Sequence, residues 1–188
     1  MYKFMLFLIL TCKAILAEDE VLNAMPFDYV NIQYAGNIGM LSVAGGNSFF
    51  DGMYDMELYL GITPNTVSEV AIYTLAIKNN FIPYEFKIDD YLVKPYAGVG
   101  FFFAWNQRYD PSANEEIPDD YYFQTLWHLS AHFGLIFEKV LHDNYFSKAG
   151  FYIETTALDT EIVSYFSSDG TIESRDIFTI ALGLRMSF

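Results

Sequence analysis

His128, Ser130 and His132 alternate along one short stretch and have residue types that can do chemistry. In an extended strand they share a face, with Cα atoms about 7 Å apart per two residues. A histidine beside a serine can serve as base and nucleophile. Two histidines can hold a metal ion, but no third ligand stands near them in the sequence. The plainer reading, which we favour, is a set of polar side chains that fill an interior and bond to their neighbours. Glu154 and Thr156 form a second same-face pair. The acids between Asp110 and Asp120 are of a kind that binds a divalent cation, yet they also suit a solvated loop. Gly98-Val99-Gly100 is no phosphate loop, because no helix follows it. Residue types alone therefore assign no catalytic, cofactor-binding or metal-binding residue, and no cofactor.

The elements that position these residues are strands. From Asp176 to Phe188 the chain alternates with a period of two. Phe178, Ile180, Leu182, Leu184, Met186 and Phe188 fall on one side, and Ile177, Thr179, Ala181, Gly183, Arg185 and Ser187 on the other. Seven earlier segments behave alike, at about 29–34, 38–50, 53–62, 70–81, 91–105, 122–139 and 145–158. Ala35-Gly36-Asn37, Asp51-Gly52 and His142-Asp143-Asn144 mark turns between them. The stretch Ile82 to Asp90 reads as another turn. Gln107 to Asp120 and Asp159 to Arg175 read as long acidic loops.

One face of these strands collects Asp55, Glu57, Lys78, Lys94, Glu138, Lys148, Glu154 and Arg185, four acids and four bases. The other is rich in Phe, Leu and Ile and nearly free of charge. A Lys or Arg facing lipid near the bilayer midplane costs about 2–4 kcal/mol. Several such penalties exceed the stability of a small domain, so in a membrane the charged face must point inward. The alternative is a soluble lipocalin-like barrel with its oily face inside. The uniformity of the oily face and its end at Phe188 favour the membrane. Tyr54, Tyr73, Trp105, Phe123 and Trp127 fall near strand ends, where aromatic girdles form.

Residues 1–17 have Lys3, a short apolar run and Ile15-Leu16-Ala17, the pattern of a secretory signal peptide. Cys12, the only cysteine, lies in it, so the mature chain is left without thiol chemistry. A net charge of −14 argues against a nucleic-acid partner. The expected architecture is all-β: an eight-stranded antiparallel up-and-down transmembrane β-barrel over residues 18–188, with a packed lumen.

Two resemblances extend this reading. The alternating terminal strand ending in Phe188 resembles the assembly signal of Gram-negative outer-membrane proteins. It implies residence in the cell outer membrane, insertion by the outer-membrane assembly machinery, and contact with outer-membrane lipid and lipopolysaccharide. Tyr84-Glu85-Phe86, Lys94-Pro95-Tyr96 and Gly98-Val99-Gly100 resemble the fourth-to-fifth strand region of the lipid A 3-O-deacylases, which are eight-stranded outer-membrane barrels. That family carries His-any-Ser-Asn on its seventh strand and an acid near its eighth. Here the aligned positions read Glu154-Thr155-Thr156-Ala157, with Asp176 near the acid. The histidine base is missing. The expectation is a small monomeric barrel with a structural or surface-binding role. A lipid A-modifying acyl hydrolase is the alternative and a narrow channel the second.

Overall fold

The computed structural model describes residues 26–68, 71–105, 127–142, 145–167 and 177–188. The expected signal peptide, the acids from Asp110 to Asp120, Phe123 and Asp176 lie outside those residues.

The alternation closes into a barrel. In chain order the strands are β1 (Tyr29–Ala35), β2 (Leu41–Phe49), β3 (Tyr54–Thr63), β4 (Ile72–Phe81), β5 (Phe86–Ile88), β6 (Tyr91–Trp105), β7 (Trp127–Val140), β8 (Lys148–Leu158) and β9 (Thr179–Ser187). All pairings are antiparallel. β4 pairs directly with β6, and β1 with β9 closes the ring, so eight strands form the wall. Followed from Asn31 through Arg185, Gly150, Glu138 and Leu92 and on around the ring, the registers return to β1 ten residues away. A stagger of this kind tilts strands by about 35–45°, and eight strands leave an interior just wide enough for side chains.

Side-chain directions follow the predicted split. Asp55, Glu57, Lys78, Lys94, Glu138, Glu154 and Arg185 are buried inside, and Lys148 is half-buried. Leu58, Leu60, Ile77, Phe101, Leu129, Phe133 and Leu182 point outward and are exposed. Large lumen side chains are matched across strands with glycine. Tyr29 is opposite Gly46, Tyr96 opposite Gly134 and Tyr152 opposite Gly183. A Cβ on Gly183 would lie 2.1 Å from the Tyr152 ring, and one on Gly46 2.3 Å from Tyr29. The small residues that blur the alternation of β2 are the floor on which aromatic rings rest.

Two details depart from the sequence reading. The stretch Ile82 to Asp90 is more than a turn: it holds β5, which pairs with the start of β6 below the level where β4 leaves it. The acidic loop after β8 begins with a helix, α1 (Asp159–Ser167). Its first turn is fastened by the Glu161 carboxylate, which accepts from the Leu158 N–H at 2.8 Å, half of a capping box. The Asp51-Gly52 signal does fall at the β2–β3 turn: Phe50, Asp51 and Gly52 all have positive φ. Gly52 N–H donates to Phe49 C=O at 3.1 Å and Met53 N–H to Phe50 C=O at 3.2 Å, inside the four-residue loop between the last pair, Phe49 and Tyr54.

Candidate functional site

Polar side chains that alternate inward from all eight wall strands meet in the lumen, and they sort into layers. Nearest Phe188 is an ionic layer around Arg185 of β9. Its guanidinium lies 2.6 Å from Asp55 Oδ2, 3.5 Å from Glu138 Oε1 and 3.9 Å from Glu57 Oε1. It also stacks on Tyr29, 3.4 Å from the ring centroid. Lys94 joins Glu138 at 2.8 Å to Glu85 at 3.1 Å. Tyr29 OH and Asn31 Nδ2 both donate to Glu57 Oε1, at 3.1 and 2.8 Å. Each buried charge of this layer thus has an opposite charge, and Asp55 and Glu57 accept further hydrogen bonds from Ser48, Tyr29 and Asn31, as buried ions require.

The middle layer centres on Glu154. Its carboxylate is paired with Lys78 and accepts from Tyr96 OH at 2.9 Å and Thr156 Oγ1 at 3.0 Å. With three donors on it, Glu154 is a counter-ion and not a free base. Tyr152 OH donates to Gln33 Oε1 at 3.0 Å and lies 3.2 Å from Tyr59 OH. Beyond Tyr59, Ile38, Ala44, Ala76 and Phe102 form a buried apolar plug toward the loop-bearing end.

At the opposite end the lumen opens into a vestibule of about 320 Å³, lined in part by Asp28, Glu85, Lys94, Lys148, Arg185 and Phe188. Phe188 and the residue before β1 are tied together at its rim. Phe188 N–H donates to Asp28 C=O, and Ser147 Oγ donates to Phe188 O at 2.9 Å.

The histidine–serine stretch lies on β7 with its polar face inward. His132 Nε2 is 2.6 Å from Asn80 Oδ1. Ser130 is buried, and its Oγ has no hydrogen bond among the described residues. It sits over Gly100, its partner across the strands. A nucleophile and base need about 2.6–3.2 Å between them, and Ser130 makes no such contact with His128 or His132 here. His128 Nδ1 instead lies 3.4 Å from Asp159 Oδ1, at the start of α1. The other oxygen of Asp159 accepts from Leu129 N–H at 3.1 Å. Asp159 was not among the sequence candidates. Its only signal was an acid at the first position of a helix that the composition had hidden. No group of three or more metal-binding side chains stands together among the described residues.

No protein-family model matches this chain, and comparison with curated proteins and with solved structures returns no match. The likeness to the lipid A deacylases therefore rests on the short motifs alone.

Proposed function

We propose that this chain is a small Gram-negative outer-membrane protein, exported by residues 1–17, that spans the bilayer as a monomeric barrel with a filled lumen. Its role is structural or surface-binding. One observation carries the reading: every charged residue assigned to the inner face is turned inward, while the opposite face exposes leucine, isoleucine and phenylalanine around the ring. Such a surface is unfavourable in water and suited to hydrocarbon. Rings cluster where the wall would meet headgroups. Phe101 and Trp127 stack at 4.8 Å and Tyr73 and Trp105 at 6.0 Å, toward the loop end. Tyr54 meets Phe49 at 6.0 Å, toward the other. Longer loops belong outside and short turns in the periplasm, which puts both termini in the periplasm and the loops against lipopolysaccharide. The plug and the paired ions speak against a channel.

The test is fractionation with a wall variant. The protein should sediment with outer membranes and migrate differently on gels with and without heating. Leu182→Arg should abolish the unheated folded band, because it sets a cation near the midplane. Recovery of the native protein in the soluble periplasm would refute the reading.

A lipid A acyl hydrolase is the second reading, and His128 beside Asp159 supports it. Mass spectrometry of lipid A from cells with and without the protein should show the same acyl pattern. A lost acyl chain that returns on His128→Ala would establish the hydrolase.

A further inference from the structure

β5 and the start of β6 form a tongue that runs past the wall. β4 follows β6 down only to the pair Phe81 and Ala97, and β5 takes over at Phe86 and Val93. Phe86 faces Val93 and Ile88 faces Tyr91, so these four share one side of the ribbon. Tyr84 joins them, its ring 6.4 Å from that of Phe86. On the other side Leu92 is buried, and the Glu85 carboxylate is drawn in to Lys94. The result is a ribbon with one bare side. Tyr84 is 68%, Phe86 56%, Ile88 65% and Tyr91 56% exposed.

That side continues the oily face of β6 through Val93, Ala97, Val99 and Phe101, without a step. It extends beyond the ring level of Tyr54 and Phe81, which pair with each other and, through Phe81, with Ala97. A strand partner is poorly served here. The free edge of β5 is three residues long, with Pro83 before it and Asp89-Asp90 after, and short, charged edges discourage strand addition. One cation stands beside the bare side, Lys139, whose Nζ lies 5.7 Å from the Tyr91 ring, and Lys87 is on the ribbon's reverse, opposite Leu92. Aromatic rings with polar tips, beside lysines, are what a headgroup layer accepts.

We propose that the tongue lies in the headgroup layer of the periplasmic leaflet, its Tyr84-Phe86-Ile88-Tyr91 side against glycerophospholipid. This rests on the membrane reading above and adds a fixed depth and a rotational mark to it.

Single cysteines test it, with Cys12, the only native one, changed to serine. Spin labels at Phe86→Cys, Lys87→Cys and Leu58→Cys are compared in vesicles of phosphatidylcholine and phosphatidylglycerol, using oxygen and a water-soluble nickel chelate as relaxants. The oxygen-to-nickel ratio should be high at Leu58→Cys. At Phe86→Cys it should be several-fold above Lys87→Cys. A lipid-like ratio at Leu58→Cys with equal, water-like ratios at the two tongue sites overturns the proposal and spares the membrane reading. Protection of Phe86→Cys from both relaxants overturns it in favour of a protein partner. A water-like ratio at Leu58→Cys removes the membrane reading and the proposal with it.

Discussion

At the end where Phe188 meets Asp28, Arg185 and Lys94 hold Asp55, Glu57, Glu85 and Glu138 around an open vestibule. At the other end Ile38, Ala44, Ala76 and Phe102 close the lumen with hydrocarbon. The same inward face, on the same strands, therefore uses two chemistries. Charge sits beside the vestibule but is itself buried, so each ion there is held by an opposite charge. Hydrocarbon sits where the interior is sealed. The pairing of Lys78 with Glu154 lies between them, bridging β4 and β8 under the tyrosines. A filled lumen is thus graded along its axis, and the two ends should fail differently when altered.

The largest difference should come from Arg185→Met. It leaves three carboxylates without their shared cation, and breaking a buried ionic group from one side costs about 3–5 kcal/mol. Urea unfolding in vesicles, followed by tryptophan emission, should show a midpoint drop that Glu138→Gln partly restores. Independent, additive effects of the two changes would mean that the ionic layer is not one unit. Next is Gly183→Ala. On the sequence alone this lumen-side change reads as mild, but its new methyl would enter the Tyr152 ring. Overpacking of this kind costs about 1–3 kcal/mol, and Tyr152→Leu in the same chain should return part of it. The smallest effect is at the plug. Ile38→Val removes one methyl group and should cost about 0.5–1.5 kcal/mol, and Glu138→Gln should leave that cost unchanged. Coupling between Ile38 and Glu138 would erase the division between the ends.

Much of this was legible beforehand. A period of two sustained over eight segments fixes which side chains share a face, and one-sided charge decides which face is inside. That argument placed Lys78 and Arg185 before any pairing was known. It could not pair Arg185 with Asp55, because partners so far apart in the chain are set by stagger, which alternation does not encode. It missed β5, since Phe86–Ile88 is too short to show a period. It missed α1, since the acids of its first turn resemble those of a solvated loop. His128 and Ser130 were rightly put on one face. Their separation was not readable, because it depends on Asp159 drawing the histidine toward α1.

Arg185 has a consequence for how the ring comes shut. It sits three residues from the end of the chain, and its carboxylate partners belong to β3 and β7. Turned outward, the arginine of the last strand would lose all three carboxylates. It gains its partners only when hairpins made much earlier are already curved into place. Local pairing is therefore rewarded step by step, but closure is rewarded once, near the end, by contacts of very long sequence separation. A chain truncated before Arg185 would lose the final rung and leave Asp55 and Glu57 without a counter-charge. The arginine is thus a latch across the ring: Asp55 and Glu57 are neutralised only when β9 stands across the lumen from β3.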